Sequence, residues 1–101
     1  MRFLLRVSMP VEAGNSAARD GFKAIQEILE KQKPEAAYFV AMDGKRTGLL
    51  IIHMDDLSQI PEIAEPWFLA FNAEVHLSPV MVPSDLAKAG PAIAEAVKIY
   101  G

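Results

Sequence analysis

The sequence predicts an α+β domain of order β-α-β-β-α-β with one more helix at its end, and three observations carry that prediction. Residues 36–42 and 47–54 are strand-like runs either side of Asp43-Gly44-Lys45-Arg46, a turn signal. Residues 17–32 and the stretch from Asp55 to Phe71 have helical periodicity. Residues 2–9 alternate at period two.

Taken in order, residues 2–9 put Phe3, Leu5, Val7 and Met9 on one face and Arg2, Leu4, Arg6 and Ser8 on the other, and Pro10 ends the strand. Residues 11–15 read as loop, with Asn15 or Ser16 as the N-cap of a helix over 17–32. Ala18, Phe22, Ile25 and Leu29 make its apolar stripe, and Pro34 stops it. The doubly apolar run Leu49-Leu50-Ile51-Ile52 marks the third strand as central. Asp55, Asp56 and Ser58 offer caps for a second helix whose apolar face is Ile60, Ile63, Ala64, Trp67, Phe68 and Phe71. Pro61 fits its first turn, whereas Pro66 predicts a kink or two short pieces. Residues 73–82 read as a fourth strand, placed at an edge or bulged by Pro79. A last helix is capped by Ser84 and interrupted by Gly90-Pro91, with Leu86, Ala89, Ile93, Val97 and Tyr100 as its buried side.

Short connections and right-handed crossovers convert this order into a four-stranded antiparallel sheet, 4-1-3-2, with helices on one face. The other face needs a partner. Leu4 lies on it, and the third strand offers apolar residues at either parity, so a charge at Leu4 or Ile52 is expected to weaken a dimer.

Composition narrows the function classes. Residues 1–101 make one domain by length. With no cysteine there is no disulfide framework, thiolate metal site or Cys nucleophile. The apolar start is broken at Arg6 and lacks a cleavable leader pattern, and no run approaches a membrane span, so a cytoplasmic protein without a membrane partner is expected. Net charge is −3 with dispersed Lys and Arg, which argues against nucleic acid. The 51% apolar content is high for so short a chain and points to burial against a second copy, a homodimer.

The hairpin from Ala36-Ala37-Tyr38-Phe39 to Gly48, the stretch Ile63-Ala64-Glu65-Pro66-Trp67-Phe68-Leu69-Ala70-Phe71-Asn72-Ala73 and the run His76-Leu77-Ser78-Pro79-Val80-Met81 resemble small uncharacterised bacterial proteins. Those belong to the dimeric α+β barrel group of ferredoxin-like folds. The resemblance implies a dimer with a cavity between sheet and helices. It transfers no catalytic residue, since the group spans haem-degrading and quinone-forming monooxygenases, chlorite-dismutase-like haem enzymes, isomerases and stress proteins.

The candidate chemistry rests on few residues. His53 and His76, on separate strands, together with Arg6 would make a polar cluster suited to acid–base work or to holding an anionic group. The competing reading has unrelated histidines and an Arg6 paired with a carboxylate across the dimer. Neither H-x-H nor H-x-x-x-H occurs, so no metal is expected. Trp67, Tyr38 and Asn72 are candidate ligand contacts, although aromatics at helical spacing are more often core. Glu65 could join Asn72 at a cavity mouth. No nucleophile elbow, phosphate loop or calcium loop is present. The expectation is a dimeric small-molecule-binding or structural module for a small apolar or aromatic ligand, without a cofactor. The alternative is a cofactor-independent monooxygenase- or isomerase-like enzyme acting on a small aromatic substrate.

Overall fold

A computed structural model describes residues 1–101. Strands β1 (Arg2–Ser8), β2 (Ala36–Met42), β3 (Lys45–His53) and β4 (Glu74–Pro79) form one antiparallel sheet in the order β2-β3-β1-β4, the predicted order read from the other edge. The fold is α+β and ferredoxin-like. Pro79 ends β4 at the sheet edge, where its missing N–H costs no ladder bond.

Alternation sorts β1 as predicted. Phe3, Leu5 and Val7 are buried and pair with Ile52, Leu50 and Gly48 on one face. Helices α2 (Lys23–Gln32) and α3 (Ile60–Phe71) close that face with Ile25, Ile28, Ile63, Trp67 and Phe71. Ile52 is therefore core, at 1% exposure, and Ile51 is its counterpart on the open face. The expectation that a charge at Ile52 would probe the dimer is corrected accordingly.

The predicted loop at 11–15 is helix. Helix α1 (Val11–Arg19) begins straight after Pro10, whose carbonyl accepts the first helical bond from the Gly14 N–H. Gly14 reads as a turn residue, yet it is where α1 meets β3: a Cβ there would stand 2.9 Å from Nη1 of Arg46. The same Nη1 donates to Asn15 Oδ1 at 2.9 Å. Tertiary contact thus overrides local turn propensity. The predicted single helix over 17–32 is broken at Gly21 (φ +71) and Phe22 (φ +56), a left-handed pair that only the glycine adopts without strain.

The hairpin turn is tighter than predicted. Asp43 (φ +54) and Gly44 (φ +76) are its two central residues, a type I′ geometry, so Lys45 and Arg46 already belong to β3. Before α3, Asp56 accepts from the Ser58 N–H at 2.8 Å, while Gln59 Oε1 accepts from the Asp56 N–H at 3.1 Å, a capping box. That donation from Ser58 holds the Asp56 carboxyl below its usual range. Helix α3 then runs through Pro66 as one element, which excludes the two-piece reading. Burial of Ile63, Ala64, Trp67 and Phe71 on its inner face offsets the lost backbone bond.

The tail departs most from expectation. It forms α4 (Pro83–Lys88) and α5 (Gly90–Tyr100), divided at Gly90-Pro91 as predicted. Pro83 opens α4 and Asp85 accepts from the Val82 N–H at 3.1 Å, so Ser84 is not the cap. No residue of either helix is buried. The molecule measures 56 × 29 × 20 Å with a radius of gyration of 17.0 Å, against about 13 Å for a compact domain of this length.

Gln32 links the two core helices: its Nε2 donates to the Ile63 carbonyl at 2.9 Å, and its Oε1 accepts from the Trp67 indole at 3.2 Å. Gln32→Ala leaves a buried indole N–H unpaired and is expected to cost about 1–3 kcal/mol in urea unfolding. In a Trp67→Phe background the same change should cost less. Equal costs would mean the bond contributes nothing.

Candidate functional site

The sheet's open face carries the predicted polar residues. Arg6 stands directly across from His76 on β4 and from Leu49 on β3. Cross-strand neighbours of this kind sit about 5 Å apart, so Arg6 and His76 share one patch. His53 pairs with Arg2 at the far end of β3, four residues from Leu49, or about 13 Å along the strand. The structure therefore brings two of the three together and leaves His53 apart. Both histidines are exposed in the single chain, and the three side chains do not meet in an enclosed cavity.

Apolar residues surround the Arg6–His76 pair. Leu4 and Ile51 pair on one side of it, and Tyr38 and Leu49 pair beyond. Tyr38 is 67% exposed, because no element of its own chain covers this face at β2. A polar cleft of about 70 Å³ lies beside Arg6, walled by Ser8, Asp43, Lys45, Thr47 and Glu74. No carboxylate of the chain forms an ion pair with Arg6. A guanidinium on a sheet with apolar neighbours and no ion pair is suited to receiving an anionic or phenolic oxygen.

His53 belongs to a different cluster. Its Nε2 lies 3.2 Å from Glu35 Oε1, and Arg2 donates to the same carboxylate from Nε and Nη2 at 3.1–3.2 Å. Glu35 precedes β2, and its N–H donates to the Ile51 carbonyl, which carries the side chain to this corner. The Arg2 hydrogen bonds, and then His53, hold the Glu35 carboxyl below its usual range, and Glu35 in turn raises the Arg2 guanidinium. Arg2 is thus the anchor of an ion-pair network.

The candidate ligand contacts are scattered. Trp67 is fully buried, packed 5.8 Å from the Phe71 ring centroid, and its indole N–H is used by Gln32. Asn72 caps α3 in the left-handed conformation (φ +51) and its N–H donates to the Phe68 carbonyl. Glu65 is exposed on α3. Tyr38 alone lies on the open face with Arg6.

Sequence reasoning missed an apolar groove of about 410 Å³ between α2 and β2, lined by Met9, Phe22, Ile25, Phe39 and Ala41, with Arg46 among its walls. Phe39 lies over Gly48, where a Cβ would come within 3.2 Å of its ring. The sequence signal for this groove is Gly21, where the helix breaks, since Phe22 beside it lines the groove.

No helix is long and apolar enough to cross a membrane. The chain belongs to the family described as a domain of unknown function, DUF3303, whose model matches residues 1–95. A curated protein of Methanosarcina acetivorans, described as an A-type ATP synthase subunit, is 35% identical over 43 residues. That match spans 43% of this chain and 43% of the relative, so the chain covers less than half of that protein's length.

The Glu35 corner has a defined pH signature. A carboxyl lowered on folding adds stability above its unfolded pKa, and this is lost as pH falls through the folded value. Thermal melts of wild type and Glu35→Gln should therefore differ at neutral pH, wild type being the more stable. The gap should be small for so exposed a cluster and close in the acid range. A gap that persists unchanged to pH 2 would contradict the assignment.

Proposed function

We propose that this DUF3303 domain works as a two-fold homodimer whose open sheet faces stack on each other and hold a small apolar or aromatic molecule between them. The observation that carries this reading is the composition of that face: Leu4, Leu49, Ile51 and Tyr38 around the Arg6–His76 pair. Stacked sheets stand about 10 Å apart. An apolar ring can lie in that layer while Arg6 receives its oxygen. Water-exposed Tyr38 and half-exposed Leu49 and Ile51 gain cover in the same step.

The adjacency of Arg6 and His76 also supports an enzymatic reading, the cofactor-independent monooxygenase or isomerase kind. There His76 takes a proton from a phenolic or α-carbonyl position, and Arg6 stabilises the resulting oxyanion. His53, held by Glu35, has no part in either reading.

The dimer is tested by sedimentation. A mass near twice 11.1 kDa is expected at micromolar concentration, and a mass near 11.1 kDa would defeat the reading. Ile51→Lys should shift the protein toward monomer without unfolding it, whereas Ile52→Lys, in the core, should unfold it.

Binding is tested by thermal shift with quinols and small hydroxy-aromatics, and with haem and flavin as the competing classes. A hydroxy-aromatic should raise the melting temperature of wild type and not of Arg6→Ala. Stabilisation by haem or flavin alone would reject the cofactor-free site. Binding retained with turnover lost in His76→Ala would select the enzyme over the carrier.

A further inference from the structure

The tail and the groove are each incomplete alone. Helix α5 leaves Ile93 50%, Val97 62% and Tyr100 86% exposed. These residues, four and three apart, fall on one helical face, with Glu95 and Lys98 on the opposite side. An isolated helix of 11 residues is marginal in water and gains its stability from packing that face. The groove between α2 and β2 is the matching surface: it is apolar, about 410 Å³, and leaves Phe39 51% exposed.

We infer that α4 and α5 form an exchange arm, which in the dimer crosses to the second copy and seats Ile93, Val97 and Tyr100 in that copy's α2–β2 groove. The inference rests on the stacked-sheet dimer proposed above. β4 and β2 are opposite edges of the sheet. A two-fold axis parallel to the strands lays β4 of one copy over β2 of the other, so the chain leaving β4 emerges at the second copy's β2 edge. The groove lies on the helix side of that edge, one sheet spacing further on. Helix α4, six residues and about 9 Å long, spans the sheet spacing. Phe39 and Ala41 stand three and five residues, about 10–17 Å, along β2 from the end where β4 exits. Helix α5, 11 residues and about 16 Å long, covers that stretch by lying along the groove. On its own chain the arm would have to cross β1 and β3 to reach the same groove, and the 56 Å length of the molecule shows it extended instead. Docking of one helix face into an apolar groove is a recurrent mode of recognition.

The chain has no cysteine, so engineered thiols report one contact only. Two single variants, Val97→Cys and Ala41→Cys, are mixed, allowed to exchange and oxidised with glutathione disulfide. The expected result is a covalent dimer containing one of each, well above the yield from either variant alone. Val97→Asp should also weaken the dimer about tenfold or more by sedimentation. A wild-type dimer with no mixed cross-link, or with Val97→Asp unaltered, overturns the arm and leaves the stacked sheets standing. A wild-type monomer overturns the dimer itself. A cross-link formed within one chain of the double variant shows the arm folding home and rejects the exchange.

Discussion

The register of β1 between β3 and β4 governs the molecule. Every second residue of this strand, Phe3, Leu5 and Val7, enters the core, and each meets a residue of like parity on both neighbours. A slip of one position would send Arg2, Leu4 and Arg6 under the helices and the core residues into solvent. That penalty fixes β3 and β4 relative to each other although they never touch. It also determines that Arg6 and His76 stand side by side, because both are set by their distance from Leu5 and Leu77.

What could be read from the sequence followed from local pattern with long-range consequence. Strand alternation, the Asp43-Gly44 turn and the amphipathic faces of α2 and α3 agree on one topology, and that topology is observed. What was not legible depended on partners distant in sequence. Gly14-Asn15-Ser16 has turn chemistry, yet Arg46, more than thirty residues away, holds these residues in a helix. Ile28 belongs to the core beside Ile25, which a stripe drawn through Phe22 overlooked, since the break at Gly21 resets the helical phase.

The placement of the candidate residues was legible only in part. Parity assigned Arg6 to the open face. The positions of His53 and His76 along their strands depended on the hairpin register, which the two-residue turn decides. Glu35 gave no sign in the sequence of being the centre of an ion-pair corner, since its partners lie 33 and 18 residues away. In the sequence, Trp67 and Asn72 stand out as an aromatic and a polar residue near the end of a helix. Both have structural work instead, in a core hydrogen bond and a left-handed cap.

Strand β2 has a further consequence. It is an outer strand, and its seven residues, Ala-Ala-Tyr-Phe-Val-Ala-Met, carry no charge, while Tyr38, Phe39 and Val40 are exposed. One side of its backbone offers unpaired N–H and C=O groups to any extended chain that drifts past. Lysine, proline or a bulge guards such a margin in most proteins, and none of these occurs within this strand. The margin is a template for runaway strand addition, of the kind that ends in fibres. A cover over β2 of the kind proposed above would thus double as a safeguard against aggregation, and would tie the solubility of this chain to its assembly.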